Sequence, residues 1–364
     1  PTVRRSFPKL LALGLALASA AACSDPEPES PPPAPEGAEV EAQLELLGDL
    51  GYTEYADSTG ALPSEAGLVF RDAAASWPGY DLITSNPGAI TELVAPDGSV
   101  VKTWSGTGST SLRAELLANG DLLQIGRVGE VPNARRYLVR LDWNGRELWR
   151  RDIDAHHDFE ITPAGEILII TNEYVREGSG RPMLSDRLTL LSPDGEVLRE
   201  VSLRDAILAA PEILPLHVTR DLLHTNSVAS MHVPELADRH PIYGPDRVLV
   251  SLRNQNAIAV VDVRQGRIVW AWGRGEILQQ HDASLLPGGH ILLFDNGDAS
   301  RRWSRVVELD PIAGRIAWEY RAPRPEDFYS RFRGTAQALP NGNVLIGSSD
   351  QGVAFEVTRE GRTV

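Results

Sequence analysis

Three segments carry histidine ahead of an apolar strand: His157-Asp158-Phe159-Glu160-Ile161-Thr162-Pro163, His224-Thr225-Asn226-Ser227-Val228 and His281-Asp282-Ala283-Ser284-Leu285-Leu286-Pro287. His157 and His281 stand at the same distance from a turn proline, and His224 opens the corresponding element between them. A neutral imidazole is a competent nucleophile and base near pH 7, and several together can hold an oxyanion or a transition metal. Arg253 closes the apolar run that starts at Arg247 and offers a planar fork of donors suited to anionic oxygens. A single histidine in a strand is most often a packed or surface residue. Lysine occurs only at positions 9 and 102, so any one arginine here is most often a surface charge. Recurrence at matched places in a repeat is what favours a functional cluster.

The repeat is a strand, a Gly turn and a second strand that usually ends in Trp. It appears at Glu92 to Trp104 around Gly98 and at Arg140 to Trp149 around Gly145, then around Gly195, around Gly266 ending at Trp270, around Gly314 ending at Trp318, and around Gly361. Most copies follow another hairpin signal, as at Asn119-Gly120, Ala164-Gly165, Gly288-Gly289 and Asn341-Gly342. Each unit therefore reads as four short strands. A period of roughly 45 to 50 residues with four strands per unit is the signature of a β-propeller, and six copies predict six blades. A β-sandwich does not require one phrase at near-constant spacing, and a helical solenoid would show a period of 3.6 rather than two. Trp104, Trp149, Trp270 and Trp318 read as structural because they share a strand position. The last copy stops at Val364 before its Trp, which predicts a shortened final blade; a strand near Leu68-Val69-Phe70 could close the ring.

The expected organisation is a signal peptide over 1–22, a Pro-rich tether over 23–39, a lead-in with a short helix over 40–77, and an all-β, six-bladed propeller with four-stranded blades over 78–364. Arg4, Arg5 and Lys9 precede an apolar run too short to span a bilayer, and small residues lead to Cys23, a pattern that resembles a bacterial lipoprotein cleavage site. Cys23 would then carry lipid, placing the protein in the periplasm or at the cell surface. Cys23 is the one cysteine in the sequence, so the exported domain must be stable without disulfides. The net charge of −15 argues against a nucleic-acid partner.

In order along the chain, His156-His157-Asp158, Asp221 to Val228, Val250 to Gln255, and Gln280-His281-Asp282 with Phe294-Asp295-Asn296-Gly297 resemble the bacterial arylsulfate sulfotransferases, periplasmic six-bladed propellers. The resemblance implies that His281 is transiently sulfurylated, that His224 and Arg253 bind the sulfate oxygens, and that the first histidine motif, His157 in preference to His156, completes the set. His156, Asn226, Phe328 and Tyr329 are the candidates for lining the substrate. The implied donor is an aryl sulfate ester and the acceptor a phenol, with no cofactor. Gly106-Thr107-Gly108 lacks the lysine of a phosphate loop, which agrees with a donor that is not a nucleotide. Better-known members carry a sizeable N-terminal domain, which this chain replaces by a short lead-in.

Two other readings share these residues. Inward histidines, oriented by Asp158 and Asp282, could hold a metal, although a guanidinium in the same cluster would repel a cation. A propeller that only binds a ligand or protein leaves the matched histidines without a reason.

Overall fold

In a computed structural model that describes residues 67–364 apart from 86–88, 106–107, 109, 130–133 and 177–181, the repeat folds as its turn glycines dictate. Six antiparallel sheets follow one another along the chain. The first holds β1 (Asp81–Ser85), β2 (Ile90–Val94) and β3 (Val100–Ser105); the second holds β4 (Thr110–Leu116), β5 (Leu122–Val128), β6 (Arg135–Leu141) and β7 (Glu147–Asp152). The third contains β8 (Ala155–Ile161), β9 (Ile167–Val175), β10 (Met183–Leu191) and β11 (Val197–Ser202). The fourth contains β12 (Thr225–Ser230), β13 (Arg247–Leu252), β14 (Ala257–Asp262) and β15 (Arg267–Trp272). The fifth is β16 (His281–Leu285), β17 (Ile291–Asp295), β18 (Arg305–Asp310) and β19 (Arg315–Tyr320), and the sixth is β20 (Thr335–Ala338), β21 (Val344–Ser348) and β22 (Val353–Val357). A bridge between Val357 and Thr363 adds a short further edge to the sixth. The six sheets are the blades of an all-β propeller.

At Gly98, Gly145 and Gly195 the glycine N–H donates to a carbonyl three residues back, φ is 82°, 86° and 82°, and the ladder slips by one residue beside the turn. That bulged turn needs positive φ, which glycine adopts at least cost. Trp149, Trp270 and Trp318 lie in β7, β15 and β19 at one strand position, four residues after their turn glycines, whereas Trp104 in β3 lies six after Gly98 and is buried edge-on to Trp143. Trp149 packs over the turn of the next blade, where a Cβ on Gly195 would meet its ring at 3.1 Å, and Trp318 Nε1 donates to Arg359 O in the following turn at 2.7 Å. Middle strands are covered on both faces by neighbouring blades. β14 and β17 are buried along their whole length, so they read as continuous apolar runs rather than alternating ones.

The insertion ahead of His224 forms α1 (Leu203–Leu208), capped by Ser202, whose side chain accepts from Asp205 N. Leu203, Ala206, Ile207, Ala210, Leu214, Leu222 and Leu223 bury into one cluster with β10 and β14, which anchors the chain as it reaches His224. The insertion after β12 carries α2 (Pro234–Ala237).

Inner strands are joined by a recurring hook. Asp158 Oδ2 accepts from Val228 N at 3.1 Å, Ser227 Oγ from Ala283 N at 2.8 Å, and Asp282 Oδ2 from Ala336 N at 2.7 Å. The residue before each hook is His157 in β8, Asn226 in β12 and His281 in β16. His224 therefore does not occupy the position of the other two; it lies two residues earlier, ahead of a bulge between Thr225 and Ser227.

Residues 68–70 are not a closing strand. They are exposed, with Leu68 lying over the turn at Gly98. The seam between last and first blades is made instead by residues 72–77. Trp77 N donates to both Glu356 carboxylate oxygens, Asn343 Nδ2 to Ala75 O at 2.9 Å, and Arg362 pairs with Asp72 at 2.7 Å. The helix expected within 40–77, the signal, the tether and Cys23 lie outside the described residues.

Candidate active site

His281 begins β16 and is buried. Its Nδ1 lies 2.8 Å from Asn296 Oδ1 and 3.0 Å from Gln279 O. Asn296, fully buried after β17, donates its amide N–H groups to Ser330 O at 2.8 Å and Arg333 O at 2.5 Å, so its oxygen must face the histidine. Both neighbours of Nδ1 are acceptors. Nδ1 carries the proton and Nε2 the lone pair. Burial, the Arg253 charge and His224 lower this imidazole to about 3, against the opposing pull of the Asn296 and Gln279 hydrogen bonds. It is neutral at physiological pH.

His224 is held from behind. Asp221 Oδ2 lies 2.5 Å from its Nδ1, and Asp221 Oδ1 accepts its backbone N–H at 3.1 Å. The His224 ring stands edge-on to His157 with centroids 4.9 Å apart, so the bulge compensates for the two-residue offset.

Arg253 opens a single turn of 3-10 helix directly after β13. Asn254 Nδ2 donates to Asp221 O at 2.8 Å and Gln255 Nε2 to Leu222 O at 2.6 Å, which ties this turn to the segment carrying His224. The guanidinium donates to Asn254 Oδ1 and Gln279 Oε1, each at 2.9 Å, and sits 5.8 Å from the Phe332 ring. A cavity of about 410 Å³ opens here, lined by Thr219, Arg220, Asp221, Arg253 and Gln279 among others.

His156 and His157 bring their Nδ1 atoms within 2.6 Å, a hydrogen bond in which either ring can be the donor. Burial first, then the positive charges of His156, His224, His281 and Arg136, hold His157 well below the ordinary histidine value. His156 turns away toward β10. Its Nε2 lies 3.1 Å from Asp186 Oδ1, an ion-pair distance outside hydrogen-bond alignment, while Asp186 Oδ2 accepts Thr225 N at 2.7 Å. Burial pushes the Asp186 carboxyl up, but His156 and the Thr225 hydrogen bonds outweigh it and keep the group below its usual value.

Left-handed backbone concentrates around this cluster. Among the described residues the non-glycine positions with positive φ are Ala89, His157, His224, Asn256, Gln279, Asp282 and Arg333, and all but Ala89 belong to the site or its supports. Such conformations cost on the order of 1 kcal/mol or more each and persist only where surroundings enforce them.

The histidines, Arg253 and their supports thus converge. Asn226 is buried nearby; its Nδ2 donates to Gln280 O at 2.8 Å and its Oδ1 has no partner. Tyr329 is half-buried, its hydroxyl donating to Asp298 O at 3.4 Å. Phe328 does not line a pocket. It is 2% exposed and packs with Phe294, Tyr320 and Phe355 in the blade core, a packing role that its loop position hides. Sequence reasoning passed over Asp221, Asn296, Gln279 and Asp186. The first two stand inside the quoted motifs; Asp186 carries no sequence signal.

Further along the same inner strands lies an acidic band. Burial, then the Asp158 charge, raises Asp282 to about 6, with Arg113 opposing. Burial raises Glu160 to about 7, with Ser230 N opposing and Asp158 and Glu115 adding. Arg113 pairs with Asp158 at 2.9 Å. Among the described residues no three His, Cys, Asp or Glu side chains are grouped as metal ligands would be.

A family model described as arylsulfotransferase (ASST) matches residues 136–364. No curated protein matches the chain significantly. Similar solved structures include a streptogramin B lyase, 12% identical over 82% of this chain and 84% of that one with a TM-score of 0.49. The virginiamycin B lyase from Staphylococcus aureus is 11% identical over 82% and 86%, with a TM-score of 0.45, and the WD40 propeller domain of Doa1 is 13% identical over 76% and 88%, at 0.43. The blades here are defined by their own strand pairing.

Proposed function

This chain belongs to the arylsulfotransferase family, and from that premise we propose that it moves a sulfuryl group from an aryl sulfate ester to a phenol through a sulfohistidine at His281. In the first half-reaction His281 Nε2 attacks sulfur, the S–O bond to the aryl group breaks, and its electron pair leaves on the phenolate. In the second, a phenol oxygen attacks sulfur, the S–N bond breaks, and the pair returns to Nε2. Splitting the transfer in this way lowers both barriers. The observation that carries the reading is the pair of acceptors on His281 Nδ1, which leaves the lone pair on Nε2. Those acceptors also strengthen as the ring gains positive character in the adduct. Arg253 and His224 surround the sulfuryl oxygens, where preorganised donors act on developing charge, and His157 completes the pocket beside them.

The test is intact-protein mass after brief exposure to 4-nitrophenyl sulfate, quenched in base, with His281→Ala alongside. A gain of one sulfuryl group on the parent alone is expected. Absence of both adduct and nitrophenol release from folded parent protein overturns the proposal.

We also propose export, with 1–22 removed, lipid on Cys23 and a tether over 23–39 ahead of the propeller. Incorporation of a labelled fatty acid that disappears in Cys23→Ser checks it.

A further inference from the structure

A phenol acceptor must lose its proton, and a departing phenolate of ordinary basicity must gain one. His281 can do neither, since its Nδ1–H is held by Asn296 and Gln279 and its Nε2 carries the sulfuryl group. His157 and His156 are hydrogen-bonded Nδ1 to Nδ1 at 2.6 Å, and behind them stands Asp186, 1% exposed and braced by Thr225 N. The Asp186 carboxylate is 3.1 Å from the far nitrogen of His156.

Resting on the transferase reading, we propose that Asp186, His156 and His157 form a proton relay, with His157 Nε2 exchanging the phenol proton and His156 storing it beside Asp186. In the acceptor step the phenol O–H proton passes to His157 Nε2, and the His157 Nδ1 proton passes to His156 Nδ1. His156 becomes an imidazolium paired with the Asp186 carboxylate, and the phenol oxygen attacks the sulfur on His281. In the donor step the same protons run back, His157 Nε2–H protonating the leaving phenolate. One proton enters and one leaves per cycle, and His157 never becomes a buried cation. The relay also alternates His157 between an Nε2–H donor and an Nε2 acceptor.

His156 is thereby a positioning residue acting through His157 rather than a substrate ligand. The groups facing His157 are His156, His224, His281 and Arg136, all capable of positive charge. They discourage a second proton on His157 itself, so a store further back is needed. Asp186 is within ion-pair distance of His156, which makes β10 of the third blade part of the machinery although no family motif lies on it.

The experiment uses the full chain, loaded with 4-nitrophenyl sulfate and then discharged in single turnovers by phenol or by 4-nitrophenol at mildly alkaline pH. Phenol arrives protonated and needs the relay; nitrophenol arrives largely ionised. General-base assistance is worth about 10²-fold or more, so Asp186→Asn and His156→Asn are expected to slow discharge by phenol at least about tenfold more than discharge by nitrophenol. The ratio is taken within each variant, so partial misfolding cancels, and the two substitutions back each other up. Equal losses with both phenols, or no loss with phenol, overturn the relay. A parent chain that forms no adduct removes the transferase reading and the relay with it.

Discussion

The starts of the inner strands and the residues one to three positions further along them are lined from the same repeat, yet they are chemically opposite. The starts present His157, His224 and His281, with Arg253 supplied from the turn after β13; the continuation presents Asp158, Glu160 and Asp282, with Arg113 and Glu115 from the adjacent β4. Burial acts on both in the same physical sense, against charge. It lowers His281 to about 3 and raises Asp282 to about 6 and Glu160 to about 7. The outcome differs because a neutral imidazole is a nucleophile, whereas these carboxyl groups serve as hydrogen-bond acceptors between blades. Glu160 Oε2 accepts from Ser230 N at 3.0 Å just as Asp158 accepts from Val228 N, so the acidic band stitches blades together while the histidine end does chemistry.

The comparison breaks most sharply at His281. His281→Ala is expected to reduce nitrophenol release from 4-nitrophenyl sulfate by at least about 10⁴-fold, the scale of removing a nucleophile, with an unchanged circular dichroism spectrum. Arg253→Lys keeps the charge but loses the fork, and a fall in kcat of about 10²-fold or more is expected; a change in KM alone would place Arg253 outside the transition state. Asn296→Ala strips His281 Nδ1 of an acceptor and takes an amide donor from the buried carbonyls of Ser330 and Arg333, Ser330 O keeping Ser304 Oγ at 3.4 Å. Weakening such buried hydrogen bonds costs about 1–3 kcal/mol, so thermal melting should fall together with kcat, unlike in the first two variants.

The smallest effects separate the two regions by pH. His281 has a depressed folded pKa, so its contribution to stability is present above about 6.5 and is lost as pH falls toward about 3. Glu160 has a raised folded pKa, so its contribution is present below about 4.5 and is lost as pH rises through about 7. Glu160→Gln should remove a fall in melting temperature between about pH 4.5 and 7, and His281→Ala a rise between about pH 3 and 6.5. A Glu160→Gln effect confined to pH below about 4.5 would reverse the assignment for the acidic band.

Blades were legible in the sequence because turn glycines and outer tryptophans are enforced by local geometry and recur. His157 and His281 were legible for the same reason. His224 was found although its register was misjudged, since a bulge shifts position without leaving a compositional mark. Phe328 was misjudged because an aromatic residue in a loop can face a pocket or a core, and only packing decides. Asp221 and Asn296 could be quoted within motifs but not given tasks, as their partners lie in other strands or loops. Asp186 was invisible: nothing near it in the chain hints that His156 is its neighbour.

The seam at residues 72–77 also sets the order of assembly. The Trp77 to Glu356 hydrogen bond spans 279 positions and the Arg362 to Asp72 pair spans 290, whereas each blade closes through short hairpins. Chain closure is an entropic cost that grows with the logarithm of the loop length, and it is offset only once the contact forms. Local hairpins therefore form early, and the joint between first and last blades is the final step, governed by the slow kinetics of long-range β contacts. Until that joint forms, the terminal blades have open flanks, and a nascent chain in this state is the form most exposed to proteolysis and to pairing with its own kind.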